Sequence, residues 1–201
     1  MPEFFDPRGE ISETRQNLPH WQQGGVWVFA TWRLADSVPI EKLVQWEEQV
    51  AVWRHHHPEP WDQETADEYR TRFSDPFDEW LDQGHGTCLL RRPENRRIVA
   101  DSLHHFDGER YRIGSYVIMP SHVHVLFSIL GAYRLSGIVG AWKRHTARLI
   151  NARESRTGEK LWQPDYYDRL IRSDEHYRRV AAYIEANPRA LREGTYTLFR
   201  G

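Results

Sequence analysis

The chain of 201 residues is long enough to bury a core, and its 39% hydrophobic and 28% charged residues describe a soluble globular protein. No apolar run reaches the length of a membrane span, and the opening MPEFFDPRGE lacks a signal-peptide pattern. The single cysteine, Cys88, excludes an internal disulfide and is consistent with a reducing compartment. We therefore expect a cytoplasmic protein with no membrane partner.

The formal net charge of −2 hides two segments of opposite sign. From Glu41 to Asp82 the chain has twelve acidic and four basic residues, a net of −8. From Arg134 to Arg172 it has nine basic and four acidic residues, a net of +5. The basic segment suits a polyanionic partner such as a nucleic acid. Two solvated helix faces of opposite sign explain the same asymmetry, so charge alone leaves both interpretations open.

The first half of the chain contains one clear strand and one clear helix. Residues 1–20 are polar and broken by proline, which predicts an arm rather than a core element. GGVWVFATWRL predicts a strand, because Val26, Val28 and Ala30 alternate with other side chains. PIEKLVQWEEQVAVWRHH predicts a helix from its apolar spacing. The acidic stretch at about 55–95, which is rich in proline and glycine, predicts an insertion with short helices.

The second half predicts the rest of a sheet. After a helix in NRRIVADSLHHF, the strands RYRIGSYVIM and HVHVLFSI are separated only by Pro120-Ser121, which predicts an antiparallel pair. LSGIVGAWKRHTARLINAR predicts a helix, and KLWQPDYYDRLIR predicts an edge strand interrupted by Pro164. Ser173 is a plausible N-cap for a last helix, DEHYRRVAAYIEANP. This order predicts one α+β domain over 1–201, with a ferredoxin-like antiparallel sheet and helices on one or both faces.

Two histidines interrupt the apolar stretch YVIMPSHVHVLFSIL. Side chains at i and i+2 of a strand leave it on the same face, so His122 and His124 are expected to stand side by side. Because burying imidazoles without partners is costly, something polar must meet them. A divalent cation is one such group, since neutral imidazole is a common nitrogen ligand. Hydrogen-bonded core histidines are the alternative.

The last predicted helix places a tyrosine at the border between core and solvent. On a helical wheel Tyr177, Val180 and Ile184 cluster on one side, and Tyr183 lies about 120° from Tyr177. Asn187 follows Tyr183 at i+4, on the same flank. A phenol and a carboxamide therefore stand one turn apart. A boundary tyrosine followed by a helix-stopping asparagine explains the same pattern.

Together these residues resemble a known family, the HUH endonucleases with a single tyrosine, and among them the REP-associated tyrosine transposases. The resemblance rests on YVIMPSHVHVLF, WKRHTARLIN and LWQPDYYDRLIRSDEHYRRVAAYIEANP, and more loosely on LPHWQQGGVWVFATWRLADSVP. It covers about residues 18–191 and implies an RRM-like HUH fold. It also implies a transposase-like enzyme that cuts and rejoins single-stranded DNA near foldback hairpins. Ser121 departs from the pattern, because many relatives have Asn or Glu before the first histidine.

The resemblance further implies the residues of the site. His122, His124 and Asn187 would hold a divalent cation, Mg²⁺ or Mn²⁺. Tyr183 would be the nucleophile that forms a covalent 5′-phosphotyrosine and frees a 3′-hydroxyl. Basic and aromatic side chains of the basic helix and the following strand would bind DNA. The residues that we assign to DNA binding are Lys143, Arg144, Arg148, Trp162, Tyr166, Tyr167, Arg169 and Arg172. For the aromatic residues of this group, core packing is the alternative, and for Trp162 the two explanations are even.

Other interpretations explain less of the sequence. A non-catalytic RNA- or DNA-binding module with a ferredoxin-like sheet accounts for the aromatic residues and the basic helix, but leaves the histidine pair and Asn187 unexplained. Two-histidine phosphoesterases carry paired H-x-[ST] motifs, and His85-Gly86-Thr87 is the only such tripeptide here. A structural zinc site fails on the number of ligands, because Cys88 is the only thiol. The sequence leaves the oligomeric state open between monomer and homodimer.

Overall fold

The computed structural model describes residues 4–15, 19–58 and 61–201. Its strands are β1 Ser12–Arg15, β2 Pro19–Gln22, β3 Trp27–Arg33, β4 Tyr111–Ile118, β5 His122–Ile129, β6 Tyr167–Leu170 and β7 Thr197–Arg200. Its helices are α1 Ile40–His56, α2 Gln63–Tyr69, α3 Asp75–Asp82, α4 Pro93–His104, α5 Leu135–Arg153 and α6 Asp174–Ala186. A π-helical turn, Arg70–Ser74, joins α2 to α3, and 3₁₀ turns cover Leu89–Arg91 and Asn187–Ala190. None of the described helices combines the length and apolar character needed to cross a membrane.

The central sheet has the strand order of a ferredoxin-like fold. Five antiparallel strands follow one another across it as β6-β3-β5-β4-β7. If β3, β4, β5 and β6 are counted as first to fourth, the order is 4-1-3-2, and helices follow the first and third strands. The predicted α+β ferredoxin-like fold is therefore confirmed, with β6 at one edge as expected. β7, at the other edge, was missed because four residues are too short to establish a period.

Different helices cover the two faces of the sheet. Thr31 lies opposite His124 and Arg33 lies opposite His122 in the pairing of β3 with β5, so these side chains share one face. We call it the histidine face. On the other face, α4 and α5 bury the main core against the alternate residues of the same strands. α6 packs on the histidine face and buries a second, smaller core.

The segment from α1 to α3, Ile40–Asp82, is fastened to the sheet by aromatic side chains. A buried cluster includes Trp53, Tyr69 and Phe73, and Tyr167 of β6 packs against it. The rings of Tyr69 and Tyr167 are stacked, with centroids 6.5 Å apart. The short helices predicted for the acidic stretch are present. That this stretch is an insertion into the fold stays a prediction.

The described part of the N-terminal segment is not a separate arm. β1 and β2 pair with each other, and His20 of β2 is buried. The His20 ring bonds the carboxylates of Asp165 and Asp168 and stacks on Tyr166 with centroids 4.0 Å apart. The prediction of an arm over 1–20 is therefore wrong for β2, because the partners of His20 lie far along the chain and leave no local signal. Residues 1–3 and 16–18 lie outside the described residues.

The ion pairs of His20 should make the stability of the fold depend on pH. Burial alone would lower the pKa of His20, but hydrogen bonds and charges from Asp165 and Asp168 outweigh burial and raise the pKa from 6.5 to about 9. Because the pKa is raised in the folded state, the stabilisation is fully present below pH 6.5 and is lost as the pH rises through 9. Between these limits we expect the free energy of unfolding to fall by on the order of 2–3 kcal/mol more in the wild type than in His20→Gln. Urea unfolding at a series of pH values measures this difference, and parallel pH dependences of the two proteins would contradict it.

Candidate active site

The two histidines of β5 are buried side by side, as their spacing predicts. Both have 1% or less of their surface exposed, and their ring centroids are 4.6 Å apart. Burial lowers the pKa of His122 to about 3, and burial together with the charge of His122 holds the pKa of His124 well below 6.5. Both rings are therefore neutral at neutral pH, which is the form that binds a metal ion.

Ser121 and Leu81 set the protonation of the His122 ring. The hydroxyl of Ser121 donates to the carbonyl oxygen of Leu81 at 3.1 Å, and its oxygen lies 3.0 Å from His122 Nδ1. Because the hydroxyl hydrogen is used at Leu81, Ser121 Oγ accepts the hydrogen of Nδ1, and the ring lone pair is on Nε2. Leu81 belongs to α3, 40 residues before Ser121. Ser121 thus links the α1–α3 segment to the histidine pair.

Thr31 and Asn187 lie at the two nitrogens of His124. Asn187 Nδ2 is 3.5 Å from His124 Nε2, and Thr31 Oγ1 is 2.7 Å from Nδ1. With the amide hydrogen directed at Nε2, Nδ1 carries the hydrogen and donates to Thr31. Both histidines then have the same tautomer. Sequence analysis missed Thr31, whose position opposite His124 follows only from the register of β3 with β5.

The packing of α6 brings Tyr183 to the same place. Ser173 Oγ accepts the N–H of His176 at 3.1 Å, which confirms the predicted N-cap. Val180 and Ile184 are buried on the side that faces the sheet. Tyr183 is left half-buried on the flank, with its ring centroid 5.4 Å from that of His124.

Tyr177, the other tyrosine of α6, points elsewhere. A Cβ added at Gly114 of β4 would lie only 2.7 Å from the hydroxyl of Tyr177, so this hydroxyl sits directly above the glycine. The register of β4 with β5 shifts at this point, between Ile113 and Ser115. The two tyrosines of one helix therefore have different surroundings, and only Tyr183 contacts the His124 ring.

The carboxamide of Asn187 is the feature that best fits a bound cation. Its Oδ1 is buried and has no hydrogen-bond partner among the described residues. A buried oxygen in this condition is costly. The same Asn187 carboxamide contacts His124 through its nitrogen. Two imidazole nitrogens and a carboxamide oxygen form a ligand set that suits a divalent cation. Among the residues that the structure describes, three or more His, Cys, Asp or Glu side chains nowhere gather into a metal-binding group.

The predicted DNA-contact residues of α5 lie away from the histidines. Arg144 and Arg148 are exposed on α5, which packs on the opposite face of the sheet. Lys143 Nζ donates to the backbone oxygens of Pro164 and Asp165 at 2.7 and 3.0 Å. The basic residues of α5 therefore lie on the protein surface, but on the face of the sheet opposite Tyr183.

Two of the predicted base-stacking residues are part of the core. Trp162 and Tyr166 each have 5% of their surface exposed. Trp162 Nε1 donates to Thr146 Oγ1 at 3.0 Å, and Tyr166 stacks on His20. Their burial conflicts with the prediction that they stack on unpaired bases, and core packing explains both.

A cavity of about 1300 Å³ lies on the histidine face. Thr31 and Tyr183 line it, as do Trp46 and Phe77 of the α1–α3 segment. Four of the predicted DNA-binding residues also line it, and these are Tyr166, Tyr167, Arg169 and Arg172. Arg169 donates to the hydroxyl of Tyr167 at 2.7 Å. The cavity thus joins the candidate nucleophile to part of the predicted DNA-binding surface.

Comparison with known proteins connects this site to a family. Residues 95–187 match the transposase family described as IS200-like. Comparison with curated proteins gives no match. Among solved structures, a REP-associated tyrosine transposase bound to a REP hairpin shares 17% identity over 88% of this chain and 72% of that chain, with a TM-score of 0.43. A candidate transposase from Deinococcus radiodurans R1 shares 16% identity over 91% of this chain and 97% of its own, with a TM-score of 0.33.

The matched range includes the paired histidines on β5 and the tyrosine helix α6 with the asparagine that follows it. These are the motifs on which the resemblance in sequence rested. The resemblance to the IS200-like transposases is therefore confirmed over residues 95–187.

Proposed function

We propose that this protein is a metal-dependent single-stranded DNA endonuclease and strand transferase that cuts near hairpin repeats through a covalent 5′-phosphotyrosine. The main support is that Tyr183 and Asn187 both contact His124. Asn187 and His124 are 63 residues apart in sequence, so the fold, and not their closeness along the chain, brings these side chains together. The match of residues 95–187 to transposases supports the same class of reaction. The hairpin substrate is the one implied by the resemblance in sequence.

Three side chains would hold the divalent cation, Mg²⁺ or Mn²⁺. They are His122 and His124 through Nε2 and Asn187 through Oδ1. When bound, such a cation polarises the scissile phosphate and offsets the negative charge on its oxygens. The contacts of Ser121 and Thr31 keep the hydrogens of both rings on Nδ1, so each Nε2 can act as a ligand. At His124 a cation would take the place of the Asn187 amide hydrogen, with the carboxamide turned to present Oδ1 instead of Nδ2.

Tyr183 would carry the covalent chemistry. Its hydroxyl oxygen attacks phosphorus, a bond from Tyr183 Oη to phosphorus forms, and the bond from phosphorus to the 3′ oxygen breaks. The 3′ oxygen leaves and takes up a proton, while the phenol loses its proton to solvent. A tyrosine hydroxyl with its ordinary pKa of about 10 is a weak nucleophile at neutral pH, so it needs a phosphate activated nearby. The phosphotyrosine conserves the energy of the phosphodiester, so a second 3′-hydroxyl can reseal the strand.

The nucleophile can be tested with two matched variants of α6. We expect Tyr183→Phe to fold and bind DNA but to form no covalent adduct, because it lacks only the attacking oxygen. Tyr177→Phe makes the same change six positions earlier in α6, on the apolar side of the helix that packs on the sheet, and it should keep the adduct. The measurement is a denaturing gel of end-labelled hairpin DNA incubated with Mn²⁺.

Each contrary result of that gel has a distinct meaning. An adduct in Tyr183→Phe would place the nucleophile on another residue. Cleavage by the wild type without an adduct would indicate a nuclease that uses water. Binding with neither cleavage nor adduct would favour the alternative, a non-catalytic RNA- or DNA-binding module.

Because Ser121 fixes the orientation and tautomer of the His122 ring, removal of its hydroxyl should weaken metal binding. We expect Ser121→Ala to weaken Mn²⁺ binding by about 10- to 100-fold, as is usual when a partner of a ligating histidine is removed. Ser128→Ala removes a hydroxyl from the same strand beyond the site and should leave the affinity unchanged. Free Mn²⁺ measured by electron paramagnetic resonance during a titration gives both affinities. Equal affinities of Ser121→Ala and the wild type would show that the Leu81–Ser121 contact does not support the metal site.

A further inference from the structure

Arg33 is a half-buried cation that has few partners among the described residues. Among the described residues its guanidinium makes one side-chain hydrogen bond, to Ser37 Oγ at 3.4 Å, and lies 5.1 Å from the centre of the Phe77 ring. No carboxylate of the described residues pairs with it, and Glu47 acts only from a distance. Burial lowers its pKa to about 10, which still leaves it charged at neutral pH. A guanidinium has five N–H donors, so most of its capacity to bind an anion is unused.

Two lysines add positive charge near Arg33, and one of them, Lys160, lines the cavity. Burial lowers the pKa of Lys143 to about 8, opposed by the charge of Asp165 and helped by the charges of Arg33 and Lys160. The ammonium of Lys143 is held by backbone oxygens, whereas Lys160 is exposed and lines the cavity with Arg33. Because these cations repel one another, an anion bound among them would lower their energy.

Arg33 lies in line with the candidate active site along β3. Phe29, Thr31 and Arg33 alternate onto the histidine face, where Phe29 contacts Tyr183 and Thr31 contacts His124. At about 3.3 Å per residue, Arg33 is roughly 13 Å along the strand from Phe29. The cavity that holds all of these side chains, at about 1300 Å³, exceeds the volume of most small-ligand pockets. It therefore has room for a short stretch of chain-like ligand rather than one small molecule.

We propose that Arg33 and Lys160 form a phosphate-binding subsite for the unpaired strand that runs from the bond cut by Tyr183 towards the α1–α3 segment. Phe77 orients the guanidinium by a cation–π contact, and Trp46 packs beside Phe77 with ring centroids 4.5 Å apart. Both rings line the same cavity as Tyr183. The α1–α3 segment thus covers the path of the strand although its net charge is negative. This inference rests on the proposed function.

The salt dependence of DNA binding tests the subsite without any cleavage. The probe is a labelled hairpin with an unpaired tail, and its affinity is measured by fluorescence anisotropy over a range of NaCl concentrations in EDTA. We expect Arg33→Ala and Lys160→Ala each to reduce the slope of log K against log salt by about 0.7, the value for one contact to a single-strand phosphate. Arg97→Ala removes an exposed arginine from α4, on the opposite face, and should keep the wild-type slope. A hairpin without the tail should show no difference among the variants.

A further variant separates loss of the phosphate contact from loss of folding. Arg33→Lys keeps the charge and should keep the slope, so a reduced slope in Arg33→Ala alone reports the phosphate contact rather than lost structure. Wild-type slopes for Arg33→Ala and Lys160→Ala would overturn the subsite even if the Tyr183 adduct forms. Reduced slopes with no adduct in the wild type would support the subsite and contradict the proposed enzyme.

Discussion

Two neutral imidazoles buried on β5 need polar partners, and the arrangement of the site follows from that need. The partners come from three directions: Ser121 with the carbonyl of Leu81, Thr31 from the neighbouring strand, and Asn187 from the end of α6. A one-residue shift in the pairing of β3 with β5 would move Thr31 off His124 and turn its side chain to the other face. The register of one strand pair therefore fixes the histidines, and the packing of α6 on the same face then fixes where a tyrosine can meet them.

The α1–α3 segment contributes to this arrangement at two points. Its aromatic cluster packs on Tyr167 at the edge of the sheet, and Leu81 accepts the hydrogen bond that orders Ser121. Between these points lies the cavity that contains Tyr183. Side chains of the segment that face the cavity are aromatic or basic as well as acidic, so the net charge of the segment does not describe the surface that it presents to a ligand.

The parts of this structure that the sequence predicts are those with a local repeat. The alternation around His122 and His124, the spacing of Tyr183 and Asn187, and the order of strands and helices all lie within single elements or follow from their succession. Contacts between distant segments left no such signal, as with His20 and Asp168 or Ser121 and Leu81. The roles of the aromatic residues were the hardest to predict, because a tryptophan in the core and a tryptophan that stacks on bases look alike in the sequence. Only the core position of Trp162, bonded to Thr146, separates the two.

The central claim is that the phenol beside the histidine pair becomes joined to DNA, and the site of attachment can be measured directly. After reaction of the wild type with hairpin DNA and Mn²⁺, nuclease and trypsin digestion would release the peptide Val180–Arg189, in which Tyr183 is the one tyrosine. The account predicts that mass spectrometry finds this peptide carrying the 5′-phosphate of a nucleotide. The same modification on Leu161–Arg169, which contains Tyr166 and Tyr167, or on no tyrosine at all, would contradict it.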